Sequence, residues 1–342
     1  MHPVPGIPKN TSLKMRPNTT LTRVQGLLVG HNSLDQRPTG CTVILCPHGT
    51  VGGVDVRGAA PGTRETDLLA VQNSVEHVHA VLLSGGSAFG LDAATGVMRW
   101  LEHHGRGIQV GPACIPIVPG AVIFDLGVGD PLIRPNADSG WAACESAVAS
   151  PVQLGNVGAG AGATVGKLFG PHLSMKGGVG SAALTVNGIT VSALVVVNAL
   201  GDVVHPDSGQ ILAGARKSAH GLQLQGTVAS QIQGKLPSTV AAGSNTTIGV
   251  IATDAVLTKS QAHRLAQMGH NGLARTIRPI HTPWDGDTLF ALGTGGTGLA
   301  ADMMLLSTLA AEVTAMAVVS AVESAQELRW GTGWWPSAQN LS

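Results

Sequence analysis

Apolar positions fall into short runs of two kinds along the chain. VHAVLLS at 78–84 is a continuous apolar stretch, predicting a buried strand; Gly85-Gly86 closes it, and a helical spacing follows over 88–104. The runs at 118–126, 182–186 and 189–197 are rich in β-branched residues and bounded by Gly or Asn, so they too predict strands. Asn187-Gly188 between the last two is a strong hairpin signal. A helix is expected to start over 208–215, and another over 258–270 with Thr258 as N-cap before 259–261. The long run 299–328 predicts a helix apolar on most of its surface, and therefore covered on nearly all sides. A strand is expected at 247–252, entered from 222–242, a segment of Gln, Ser, Gly and Pro without an apolar period that reads as a mobile surface connection. Strand pairs mixed with helices, without regular βαβ alternation, predict an α+β sandwich with helices outside two sheets.

Composition narrows this picture. Only 12% of the 342 residues are charged, 47 are Gly and Tyr is absent, which suits small residues at tight contacts and much surface removed from water. Twenty basic and twenty acidic residues balance without a basic block, which argues against a nucleic-acid partner. The apolar stretch 299–322 approaches the length of a membrane span. Asp302 and Glu312 interrupt it, and the expectation is a buried helix and no membrane partner. MHPVPGIPKN has no apolar h-region, so a cytoplasmic location is expected. Cys41, Cys46, Cys114 and Cys144 form no CxxC pair and are expected to be buried free thiols. The thirteen histidines show no ligand spacing such as HExxH, so neither a metal nor another cofactor is expected.

Candidate chemistry begins at GSNTTI, 243–248. An N-terminal Thr or Ser is a useful nucleophile because its own α-amine can act as base for its hydroxyl, and creating that amine requires the chain to be cut before it. Ser244, Thr246 and Thr247 offer hydroxyls there, although such a run is also an ordinary loop-to-strand junction. In PWDGDTLF, Asp285 and Asp287 flank a glycine and can place two carboxylates at one cavity; the DxDG pattern of a calcium loop is missing. Lys167 ends the glycine-rich run GNVGAGAGATVGK, which fails the phosphate-loop requirement because Leu168 follows. These glycines read as permitting close backbone approach. Asn198 ends the strand VSALVVVN. A lysine near a nucleophile can take a proton, and an asparagine amide can donate to an oxyanion.

LSGGSAFGLDAATGVMRWLEHHGRG at 83–107, NTTI at 245–248 and HTPWDGDTLFAL at 281–292 stand in one order. On these motifs the chain, from about 22 to 323, resembles the self-cleaving family of L-aminopeptidase/D-Ala esterase-amidases, β-peptidyl aminopeptidases and nylon-oligomer hydrolases. The NTTI and Asp-Gly-Asp segments are similar to the nylon-oligomer branch; the aminopeptidases carry a Ser-Gly-Glu-like arrangement there.

The resemblance implies one four-layer αββα sandwich, the fold shared with ornithine acetyltransferases, formed by a single domain 1–342 that is processed into an α chain, 1–245, and a β chain, 246–342. It implies Thr246 as nucleophile, Asn245 as the residue left at the cut end, Lys167 beside the nucleophile and Asn198 as oxyanion donor. Asp285 and Asp287 would position the nucleophile, and Phe124 would line the pocket where relatives can carry Tyr. Homo-oligomers of such heterodimers, here a tetramer, are implied as well. The expected activity is amide hydrolysis of short peptides, amino-acid amides or esters, or ω-amino-acid oligomers through an acyl-enzyme. An acyltransferase of the ornithine-acetyltransferase type and a non-catalytic assembly protein are the other readings. Asn245–Thr246 is favoured over Gly243–Ser244 as the cut bond because Thr246 directly precedes the expected strand.

Overall fold

The computed structural model describes residues 18–235, 243–300 and 302–341. Two five-stranded sheets lie face to face. The first contains Leu28–Ser33, Gly40–Leu45, Ala80–Ser84, Gly120–Val122 and Thr63–Arg64, in that spatial order. The second runs Gly178–Val186, Ile189–Asn198, Thr246–Thr253, Thr288–Gly293, Val51–Val56.

The alternation of side chains along each strand builds the layers. Ile44, Val81 and Leu83 of the first sheet meet Leu194, Val196, Ile248, Val250 and Phe290 of the second in the central core. The alternate residues Val43, Leu45 and Leu82 pack instead on the helices Ala93–His103 and Ala137–Glu145. Val191, Val195 and Val197 pack outward with the helices Lys259–Thr276 and Met303–Glu323. The four-layer αββα arrangement expected from the sequence is therefore present. Close helix–sheet approach depends on small residues: a Cβ on Gly180 would sit 2.0 Å from the Ala317 carbonyl oxygen.

The Asn187-Gly188 hairpin joins Gly178–Val186 to Ile189–Asn198, with both turn residues at positive φ as a type I′ turn requires. Thr258 caps its helix, accepting from the Gln261 N–H in a capping box. Several expectations are corrected. The segment 208–215 forms the strand Ile211–Ala213, paired with Asp202–Val204, and not a helix; Gly209 sits at φ +71, in the left-handed region outside helical backbone. Only Gly120–Val122 of the run 118–126 is strand, and the helix over 88–104 is a 3-10 turn, Ser87–Asp92, before Ala93.

The terminal helix is Met303–Glu323, long and apolar enough to span a membrane, but it packs on the second sheet through Leu306, Val313, Ala317 and Val318. It is not covered all round, because Met304 is 80% exposed. All four cysteines are free; Cys114 is partly exposed, unlike the other three. The expected connection 222–242 contains the helix Thr227–Ile232, while 236–242, like the N-terminal residues 1–17, lie outside the described residues.

Candidate active site

The central strand of the second sheet is Thr246–Thr253, so Thr246 is its first residue instead of preceding it. On one side it pairs antiparallel with Ile189–Asn198, which places Asn198 opposite Thr246. On the other it runs parallel to Thr288–Gly293, with Ile248 opposite Thr288. A parallel neighbour carries its upstream residues alongside the upstream residues of its partner. Residues 284–287 therefore lie beside 243–246, joined by Gly243 N–H to the Trp284 carbonyl (3.2 Å) and Gly286 N–H to the Asn245 carbonyl (3.0 Å). Strand register thus gathers at one sheet end groups that are some 40 residues or more apart in the chain.

Thr246 and Asn245 are buried, and the Thr246 hydroxyl donates to the Asn245 carbonyl oxygen. That oxygen so receives two donors, one from the neighbouring hydroxyl and one from a backbone N–H. Of the two, the Gly286 N–H is the donor placed to stabilise the charge that develops on this oxygen when the carbon is attacked, since the hydroxyl is itself the attacking group. Gly286 is tight against this arrangement: a Cβ there would lie 3.0 Å from Thr246 Oγ1 and 2.8 Å from the Ala60 carbonyl oxygen.

Lys167 reaches the site because its backbone N–H is bonded to the Leu200 carbonyl just beyond the Asn198 strand (2.9 Å). Its Nζ donates to Asn198 O (2.8 Å), Asn198 Oδ1 (2.9 Å) and Ser244 O (3.3 Å). Burial pulls the ammonium down to about 7, against the opposing fields of Asp285, Asp125 and Asp287. Asn198 Nδ2 donates to the Phe124 carbonyl (3.0 Å), which leaves its second N–H for another acceptor. Phe124 thus meets the cluster through its backbone oxygen.

The two aspartates have different surroundings. Asp287 accepts from Thr247 N–H (2.6 Å) through Oδ1, and from both the backbone N–H (3.1 Å) and the Nδ1 (2.8 Å) of His281 through Oδ2. Asp285 accepts from the Thr282 N–H (2.8 Å); burial, then the charge of Asp287, pushes its carboxyl up to about 6. One member of the pair is clamped by three N–H donors and the other can exchange a proton near neutrality.

All five expected site residues, with Asn245 and Ser244, are brought together. Sequence reasoning missed Gly286, whose contribution is a backbone N–H, and His281, although it opens the HTPWDGD motif. It also missed Lys176, buried with Nζ on the carbonyls of Gly160, Ala163 and Gly177, which braces the glycine-rich run carrying Lys167. Asp125 escaped notice too: paired with buried Arg37 (2.6 Å) and accepting from Thr39 Oγ1 (2.6 Å), it fixes the chain next to Phe124. Histidine and cysteine side chains form no group able to hold a metal among the described residues.

The raised Asp285 carboxyl gives a stability prediction. Its proton is held more tightly in the folded chain, so the stabilisation is full below the unfolded value near 3.9 and is lost as pH rises through about 6. Ionised Asp285 then costs the folded state on the order of 2–3 kcal/mol at pH 8. Asp285→Asn, compared in a Thr246→Ala background, is expected to melt several degrees higher at pH 8 and to show no gain at pH 4. Thermal unfolding at both pH values checks this.

The family model described as Peptidase family S58 matches residues 19–333. An uncharacterized aminopeptidase of Mycobacterium tuberculosis is 48% identical over 316 residues, covering 88% of this chain and 89% of that protein. A 6-aminohexanoate-oligomer endohydrolase of Paenarthrobacter ureafaciens is 31% identical over 308 residues, 85% of this chain and 81% of its own length. Among solved structures, the L-aminopeptidase D-Ala-esterase/amidase of Ochrobactrum anthropi, described as a variant of the Ntn hydrolase fold, superposes with a TM-score of 0.71 at 20% identity, covering 95% of this chain and 93% of that one.

Proposed function

The chain belongs to peptidase family S58 and is an amide hydrolase; from this premise we propose that it is of the N-terminal-nucleophile kind, cutting itself between Asn245 and Thr246 and then hydrolysing short amide substrates with Thr246 as nucleophile. The observation that carries the cut bond is the doubly bonded Asn245 carbonyl, held by the Thr246 hydroxyl and the Gly286 N–H. Thr246 Oγ1 attacks the Asn245 carbonyl carbon while Gly286 N–H bears the developing oxyanion. The hydroxyl proton passes to the peptide nitrogen, which leaves as the α-amine of Thr246, and water hydrolyses the resulting ester to free the Asn245 carboxylate. The oxyanion donor in this step is Gly286, where Asn198 was expected; the Asn198 amide lies on Phe124 and Lys167.

In substrate hydrolysis the Thr246 hydroxyl attacks the substrate amide. The Thr246 α-amine or Lys167 takes the hydroxyl proton and delivers it to the leaving amine, and water releases the acyl group. Lys167, with burial drawing it to about 7, has a substantial neutral fraction at neutral pH. Asn198's second amide hydrogen and the Gly286 N–H, vacated when Asn245 departs, are the oxyanion donors. Short peptides, amino-acid amides and ω-amino-acid oligomers are the substrates, in keeping with relatives called aminopeptidases and an aminohexanoate-oligomer hydrolase. Four free thiols suit a reducing, cytoplasmic compartment. Assembly into homo-oligomers of the processed heterodimer would cover apolar residues such as Leu132, Ile232 and Met304, each more than 70% exposed.

Intact-mass measurement tests the cut. Two chains are expected, the smaller beginning at Thr246. A small chain beginning at Ser244 would move the nucleophile, and a single uncut chain would favour a non-catalytic scaffold. Amino-acid anilides, β-peptides and aminohexanoate oligomers offered to the processed enzyme then define the substrate.

A further inference from the structure

Behind the Asp pair lies a line of polar groups with no assigned role. Asp287 bridges two partners, Thr247 N–H on the strand and His281 on the loop, and His281 contributes two of the three donors that meet this carboxylate. His281 occupies φ +55, a left-handed conformation that His, Asn and Asp adopt more readily than other side chains. Its ring stands edge-on to that of His270 at 4.9 Å between centroids. His270, fully buried on the helix Lys259–Thr276, bonds through Nε2 to the Asp55 carbonyl (3.1 Å) and lies 3.5 Å from the Asp55 carboxylate, which Arg57 pairs (2.8 Å). Burial lowers His270 to about 4, so it stays neutral and places no positive charge against His281.

The Asp287 clamp acquires a distinct task after cleavage. While the chain is intact, Thr246 is tied to Asn245. Once cut, the strand begins at a free terminus, and terminal residues fray unless held. Asn198 pairs with Thr246 from one side; from the other, Asp287 is bonded to the Thr247 N–H. We propose that His281 is the positioning residue of this site: by donating through Nδ1 and its backbone N–H it keeps the Asp287 carboxylate aimed at the Thr246–Thr247 peptide, and thereby holds the new N-terminal nucleophile in register.

The inference rests on Thr246 being the nucleophile. The charged and titratable groups facing this unit are Asp285 and Lys167 from the nucleophile side, and His270, Asp55 and Arg57 from the helix and the Val51–Val56 strand.

Two substitutions separate positioning from simple packing. Asn at 281 places an amide N–H where Nδ1 stands and tolerates positive φ; Gln places its amide at the Nε2 position, beyond Asp287 Oδ2. For the processed enzyme, His281→Asn is expected to keep kcat within about threefold of the native value, with KM unchanged. His281→Gln is expected to lower kcat roughly tenfold or more with KM little changed, because Asp287 loses the side-chain donor that aims it at the Thr246–Thr247 peptide.

Equal kcat values for the two variants would overturn the proposal. If His281→Gln does not fold, His281→Ala, which also lacks a side-chain donor, takes its place: a kcat loss of about tenfold at unchanged KM, restored by His281→Asn, sustains the role, and a kcat near the native value removes it. A native small chain beginning at Ser244, or hydrolysis by Thr246→Ala, breaks the underlying nucleophile assignment. A native chain cut at Thr246 with indistinguishable variants breaks only the role of His281.

Discussion

Thr246→Ala is expected to yield one uncut chain of 34.6 kDa on denaturing electrophoresis, with amide hydrolysis reduced by roughly four orders of magnitude or more. Both losses have one origin. The hydroxyl that would attack the Asn245 carbonyl is gone, and without the cut no α-amine forms to serve as base. Folding should persist, since the change removes a small buried group whose hydrogen bond is to the adjacent residue. Thr246→Ser restores a hydroxyl at the same place and is expected to restore cleavage and turnover in part. Timed gels and a chromogenic amide assay measure the two reactions separately. An uncut Thr246→Ala chain that still hydrolyses amides at the native rate would sink the mechanism.

Gly286→Ala has the next largest expected effect, and it acts through space instead of chemistry. Gly286 is not at positive φ, so alanine meets no backbone strain there. The added methyl meets the Ala60 carbonyl at 2.8 Å and the Thr246 hydroxyl at 3.0 Å, and one side must move. Either displacement spoils the geometry at the Asn245 carbonyl: the Gly286 N–H shifts away, or the nucleophile does. Loss of one well-placed oxyanion donor lowers rates by roughly 10²–10³-fold, and self-cleavage is expected to slow by at least that much. The appearance of the two chains with time after refolding gives the rate. Cleavage as fast as in the native chain would remove Gly286 from the reaction.

The contrast between these two positions shows how far the site could be read in advance. Thr246 was legible because its hydroxyl stands in GSNTTI at the head of an apolar run, in the company of Lys167, Asn198, Asp285 and Asp287. Gly286 was visible only as the spacer between two aspartates, since a backbone N–H is common to every residue except proline. His281 opens a recognised motif, but its partner atoms on Asp287 and its neighbour His270 follow from the path of the chain. Lys176 and Arg37 carry no local pattern; each is identified by the buried carbonyls or carboxylate it meets.

Hydrophobic periodicity was enough for the strands at 182–186, 189–197 and 247–252, the capped helix starting after Thr258, the Asn187-Gly188 turn and the sandwich class, because those depend on local spacing and on burial of one face. It misjudged 208–215, where a short apolar run fits either period and pairing with Asp202–Val204 selects the strand. The difference between Asp285 and Asp287 likewise lay outside the sequence, which shows two identical side chains separated by a single glycine. Tertiary structure decided it: three N–H groups converge on one carboxylate, while burial and its neighbour's charge leave the other holding its proton to about 6. Local residue order fixes which atoms are available, but the energy of a proton or an oxyanion depends on dielectric surroundings and donors brought together by strand register, and those exist only once the sheets have formed.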